Sequence, residues 1–190
     1  VVYDSERLTA DELPDTIDGY VTEEWNGRLA VAPTNASFQS FVTALRVLEG
    51  EEEATAWAQA LAGNSPQIFE GNTPILTAVN DGAVEAGLIN HYYWFRAASE
   101  VGVENMRAQL KYLTAGDAGS IVNVTGAGIL AGAAGDADAL EFVRYLVSEA
   151  AQTYFVEQTF EYPLVPGIAA PEGLPSLESL LNPQLDLSDL

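Results

Sequence analysis

Apolar positions at 38, 41, 42, 45 and 48 recur at the three- and four-residue spacing of one helical face, and Gly50 stops the run. A second helix is predicted over 51–61, with Ala54, Trp57, Ala58 and Leu61 on one side and Gly63 as its stop. Its opening Glu51-Glu52-Glu53 suits the positive end of a helix dipole. Upstream, residues 1–4 and 28–31 read as strands, separated by an acidic, turn-rich stretch over 8–25. A short helix follows from Asn72-Thr73 to Val79, closed by Asp81-Gly82. Residues 83–89 form an apolar run of buried-strand type, which delivers Asn90-His91-Tyr92-Tyr93 at its carboxyl end, and a helix continues over 94–101. Two further strands are predicted at 109–113 and 120–124. The longest helix is expected from Asp136, with Leu140, Val143, Val147, Ala150 and Tyr154 along one face. From Tyr162 the prolines at 163, 166, 171, 175 and 183 allow only a wrapping tail, with one turn of helix near 176–181. Helices alternating with short strands argue an α/β or mixed-sheet architecture.

Composition narrows the function more than the fold. The chain has 190 residues, of which 48% are apolar and 18% charged, enough for a real core and unlike a disordered segment. No apolar run reaches the roughly 18 residues of a membrane span. Seven basic residues face 28 acidic ones, for a net charge of -21, which repels nucleic-acid backbones and anionic lipid. There is no cysteine and a single histidine, His91, so thiol catalysis, zinc-thiolate sites, disulfides and most histidine chemistry are excluded. No nucleophile–base pair stands out, and an enzyme is not expected.

Three loops carry helix-start chemistry at the ends of strands: Thr34-Asn35-Ala36-Ser37, Asn72-Thr73, and Asn90 to Tyr93. None holds a lysine or arginine, so they suit a small anion bound by amides, hydroxyls and backbone N–H groups, or they are ordinary caps. The adjacent Tyr92 and Tyr93 have two readings. Phenolates are hard oxygen ligands for a highly charged cation such as Fe(III), whose charge alone removes a proton that normally leaves near pH 10. Alternatively, residues 91–95 are an aromatic core stripe. The N-terminal acidic residues lack a calcium-loop spacing and read as a solvated face. Gly126-Ala127-Gly128 lacks the third glycine of a dinucleotide fingerprint and reads as close packing.

Taken in order, Trp25-x-Gly27-Arg28, Ala32-Pro33-Thr34-Asn35-Ala36-Ser37-Phe38, Asn72-Thr73, Gly87-Leu88-Ile89-Asn90-His91-Tyr92-Tyr93-Trp94, Gly116-Asp117-x-Gly119-Ser120 and Glu161-Tyr162-Pro163-Leu164 resemble the C-terminal part of a bacterial ferric-ion-binding protein. These are extracytoplasmic receptors of iron ABC importers. The resemblance implies a class II periplasmic-binding-protein-like lobe, with a mixed sheet flanked by helices, in residues 1–119. It implies crossover elements over 120–160 that pack on an N-terminal lobe absent from this chain, and a return segment with a Pro-rich tail over 161–190. Tyr92 and Tyr93 then supply the metal ligands. A synergistic phosphate or carbonate contacts Thr34, Asn35, Ala36, Ser37, Asn72 and Asn90. Many members have glycine at the position of Ala36. The further ligands, a histidine and a glutamate in many members, would come from the absent lobe. The implied partners are the ferric ion, the anion and an ABC permease, in the periplasm or at the cell surface, with lipid anchoring an option for a full-length protein. The alternatives are a lobe for another small anionic solute and an interaction domain that binds nothing. Expressed alone, the chain is expected to self-associate through its uncovered helix or to rearrange it, and to bind iron weakly.

Overall fold

A computed structural model describes residues 1–180. Five short strands make one mixed sheet: β1 (Val2–Asp4), β2 (Leu29–Val31), β3 (Gln67–Ile68), β4 (Ala86–Gly87) and β5 (Ala108–Leu110), in the order β3-β2-β4-β1-β5. β2 is parallel to β3 and β4, while β1 runs antiparallel to β4 and β5. Side chains alternate along a strand. Tyr3, Leu29, Val31 and Ala86 therefore enter one buried cluster, and Val2, Ala30 and Ala108 enter the other.

Each cluster is completed by two helices. α1 (Ala36–Glu49) and α2 (Glu51–Gly63) contribute Phe41, Leu45, Trp57 and Leu61 to the first. α3 (Asn72–Asn80) and α4 (His91–Val101) contribute Ile75, Val79, Trp94 and Ala98 to the second. Each large side chain so buried stabilises the fold by about 1.5–3 kcal/mol. Covering both faces explains why the strands read as apolar runs rather than as alternation. Gly87 permits the approach of α3: a Cβ there would stand 2.3 Å from Cγ2 of Ile75. Gly50, at φ +107°, ends α1 and opens α2.

Two polar anchors fix the strands and α4. Arg107 donates two hydrogen bonds, of 2.7 and 2.6 Å, to the two carboxylate oxygens of the fully buried Asp4. This fork holds the Asp4 carboxyl below its usual range against the opposing effect of burial. Trp94 Nε1 donates to the Ala108 carbonyl at 2.7 Å, which sets the roll of α4 against β5.

The chain divides into one compact unit on residues 1–123 and a second on 124–179. The second contains α5 (Ala137–Leu146), α6 (Glu149–Tyr154) and a π-helical turn at Phe155–Thr159. α7 (Leu177–Leu180) follows. Among the described residues, those buried in the second unit are few. Gln152 is one, donating to the Leu146 carbonyl at 2.8 Å and accepting from the Leu164 N–H at 2.7 Å.

Several predicted elements differ from those observed. Residues 120–124 are not a strand: a 3-10 turn at Ala118–Ser120 gives way to irregular chain, because this β-branched run has no partner strand. The strand expected at 109–113 is β5, ending at Leu110, and the one expected at 83–89 is only β4. The helix expected at 94–101 begins at His91. The helix from Asp136 is not the longest, since Ser148 caps a new helix by accepting the Ala151 N–H and splits the run into α5 and α6. α1, at 14 residues, is longer. β3 was not expected; it is two exposed residues bound edge-on to β2. Of the expected tail, Leu181 and Pro183 lie outside the described residues.

Candidate functional site

Three neighbouring parallel strands, β3, β2 and β4, each run into a helix. β2 leads through Ala32-Pro33-Thr34-Asn35 into α1, β3 leads through Phe69-Glu70-Gly71 into α3, and β4 leads through Leu88-Ile89-Asn90 into α4. The three helix N-termini thus lie at one edge of the sheet, where unsatisfied N–H groups and helix dipoles favour negative charge.

Asn35 is the N-cap of α1, and its Oδ1 accepts the Ser37 N–H at 2.9 Å as well as the Ser37 hydroxyl. Thr34 and Ala36 are exposed beside it. Asn72, the first residue of α3, is 95% buried, and its Oδ1 accepts the Asn90 N–H at 2.9 Å. Asn90 is the N-cap of α4, and its Nδ2 donates to the Tyr92 hydroxyl at 3.1 Å. A Cβ built on Gly71 would lie 3.9 Å from Asn35 Nδ2, which brings the starts of α1 and α3 together. The asparagines at 35, 72 and 90 and the phenol of Tyr92 thereby form one continuous string. Asp117, in the Gly-Asp-x-Gly-Ser segment, instead caps a 3-10 turn and accepts the Ile17 N–H.

Tyr92 and Tyr93 occupy the first turn of α4, half-buried, with rings stacked at 4.6 Å and 29°. Burial raises the Tyr93 phenol above its usual range, its hydrogen bond with Tyr92 and the charge of that neighbour add to the shift, and Arg96 opposes it. A phenolate here needs a cation stronger than Arg96. The His91 ring meets Tyr92 edge-on at 5.7 Å and Phe95 at 6.2 Å. Among the described residues, no group of three or more His, Cys, Asp or Glu is placed to hold a metal ion.

One contributor was missed by sequence reasoning. Arg96 lies three residues beyond Tyr93, one turn along α4, a helical spacing that could have revealed it.

The profile of the bacterial extracellular solute-binding protein family matches residues 1–184. The major ferric iron-binding protein of Neisseria meningitidis serogroup B is 33% identical over 97% of this chain and 56% of its own length. The Fe(3+)-binding periplasmic protein of Serratia marcescens is 32% identical over 100% of this chain and 56% of its own. Iron-bound HitA from Pseudomonas aeruginosa superposes with a TM-score of 0.91 at 31% identity, over 99% of this chain and 60% of that one. The chain therefore spans somewhat over half the length of these relatives. The periplasmic-binding-protein-like fold expected from the resemblance, a mixed sheet flanked by helices, is the fold observed.

Proposed function

The chain belongs to the family of bacterial extracellular solute-binding proteins, a family that binds solutes rather than transforming them, and on that premise we propose that it carries the ferric-ion and anion contacts of an iron receptor. Tyr92 and Tyr93 bind Fe(III) as phenolates. A small oxyanion, phosphate or carbonate, occupies the helix starts formed by Thr34, Asn35, Ala36 and Ser37, by Asn72 and by Asn90. The receptor works outside the cytoplasmic membrane and delivers its cargo to an ABC permease. The observation that carries this reading is the gathering of two phenols and three asparagine amides at one sheet edge, with no lysine or arginine in the three loops. Ferric-iron relatives along the length of the chain support it.

The same reading assigns residues 1–119 to one lobe, 120–160 to crossover elements and 161–190 to the return segment. The exposed Leu140, Val147 and Tyr154 are then the surface that a second lobe, outside this chain, would cover.

Fe(III)-phenolate bonds absorb visible light, so ferric citrate should colour the protein and Tyr92→Phe/Tyr93→Phe should abolish the band. Each phenol must lose a proton to bind, and burial already resists that loss at Tyr93. Affinity should therefore fall as pH falls, by up to about tenfold per unit for each proton displaced. A band of full intensity in the double variant, or an affinity that does not change with pH, removes the tyrosines from the site.

A further inference from the structure

β5 is an edge strand of the sheet, paired with β1 on one side. A strand edge leaves backbone N–H and C=O groups without a ladder partner, and these must be covered. At Ala108, which is fully buried, two helices supply the cover. Its N–H donates to Oδ1 of Asn80, the last residue of α3, at 3.1 Å. Its carbonyl accepts Nε1 of Trp94, on α4, at 2.7 Å. The backbone of one residue thus binds both helices. That anchor is itself fixed, because Ala108 stands opposite Asp4 in the β1–β5 register and the preceding Arg107 forks onto the Asp4 carboxylate. At the other end of α3, Asn72 Oδ1 accepts the Asn90 N–H and ties the starts of α3 and α4 together. The two helices are therefore joined at two places, about 12 Å apart along α3. Trp94 follows directly on Tyr93 and packs in the cluster that holds Ile75, Val79 and Ala98. Within a rigid helix, a roll that moves the Trp94 indole carries the phenols of Tyr92 and Tyr93 through the same angle.

We propose that Asn80 and Trp94 are positioning residues for the phenol pair: by taking the two polar groups of Ala108, they fix the roll of α4 against α3 and so the place of the Tyr92 and Tyr93 hydroxyls. The inference rests on the reading of these tyrosines as ferric ligands, and it names the residues outside the site that hold them to one geometry. A binding constellation works only when its groups are held within about 0.5 Å of the productive arrangement. Both tyrosines are half-buried with their rings stacked on each other, so their place follows the helix that carries them. Loss of either hydrogen bond leaves a fully buried backbone group of Ala108 without its partner, and α4 or the edge strand shifts in response.

The test uses the isotope-labelled 190-residue chain, first without metal and then with ferric citrate. Asn80→Leu keeps the bulk and removes the acceptor, Asn80→Asp keeps the acceptor oxygen, and Trp94→Phe keeps an aromatic ring and removes the donor. Without metal, the Tyr92 and Tyr93 ring resonances should move in Asn80→Leu and stay at the parent positions in Asn80→Asp. With ferric citrate, Asn80→Leu and Trp94→Phe should each bind about tenfold more weakly and displace the maximum of the visible band, while Asn80→Asp keeps the parent band. Leu45→Ala, in the other cluster, lowers stability without touching this frame, and its folded form should keep the parent band. An equal displacement there would reduce the effect to general loosening and overturn the positioning role. Should Trp94→Phe not fold, the two Asn80 variants, at a half-buried position, carry the comparison. Folded Asn80→Leu with the affinity and band of the parent would overturn the proposal, as would an Asn80→Asp that fails like Asn80→Leu. If ferric citrate colours no form of the chain, the metal reading fails, and the ring resonances still decide the positioning: unmoved in Asn80→Leu, they overturn it.

Discussion

Leu45 and Phe142 both lie within helices whose apolar residues recur at helical spacing, yet Leu45 is fully buried and Phe142 is 62% exposed. The contrast extends to the units that hold them. The unit on residues 1–123 has two clusters, each built from strand residues and two helices. In the unit on 124–179, α5 has no buried residue, and Leu140, Phe142, Tyr145, Val147 and Tyr154 are all exposed. On the helical wheel of α5 continued to its C-cap Val147, Leu140, Val143 and Val147 share one side while Phe142 and Tyr145 lie on the opposite side. Asp138, Glu141 and Arg144 cluster on one arc of the wheel, so α5 is amphipathic, and its broad apolar arc is a surface of the kind that packing covers. Periodicity thus tells which residues of a helix seek cover. It does not tell whether the cover belongs to the same stretch of chain.

The largest effect expected is in stability. Leu45→Ala should cost about 2–5 kcal/mol, for lost burial and a residual cavity. Phe142→Ala should stay within about 0.5 kcal/mol, because little of its surface leaves water on folding. Urea unfolding of the two variants breaks the comparison if they lose stability equally.

The same contrast marks what could be read from the sequence. The helices α1 to α3 and the strands β1 and β2 were legible because each buries one face on its own sheet, so apolar spacing and burial coincide. The loops around Asn35, Asn72 and Asn90 were legible for a local reason, since asparagine beside small residues is helix-start chemistry wherever it occurs. Pairing was not legible. Ile121 and Val122 have strand propensity and no strand to pair with, while Gln67 and Ile68, a run of only two exposed residues, are held by β2. Nor was the orientation of the asparagine amides, which depends on hydrogen bonds between loops 18 residues apart, as from Asn90 to Asn72. The break at Ser148 was a missed local signal: serine followed by an acidic residue starts a helix even inside an apolar repeat.

A smaller effect separates how the two units are held at their centres. Where the first unit has Leu45 and Trp57, the second has Gln152, 95% buried and bonded through both ends of its amide. Gln152→Leu keeps the bulk but leaves the Leu146 carbonyl and the Leu164 N–H without partners, a cost of about 1–3 kcal/mol. Hydrogen exchange should quicken in α5, α6 and the chain around Leu164, with amides of α1 and β2 unchanged. Equal acceleration in α1 would mean that the two units unfold as one.

The smallest effect on folding should be the largest on association. Leu140→Ser with Val147→Ser replaces two exposed apolar side chains on one side of α5, so the melting temperature should hardly move. The parent chain, however, presents Leu140, Val147, Phe142 and Tyr145 to water on two sides of one helix, and water favours any contact that removes such surface. Light scattering across a concentration series should show the parent growing in mass as concentration rises. Each buried leucine or valine contributes about 1.5–3 kcal/mol to such a contact, so the double variant should need at least tenfold more protein to reach the same mass. Phe142→Ser with Tyr145→Ser separates the two sides of the helix. If only one pair of substitutions suppresses association, that side is the contact. A parent that stays monomeric at every concentration would show that exposed apolar area on α5 is not enough to drive association, and the contrast with α1 would then concern stability alone.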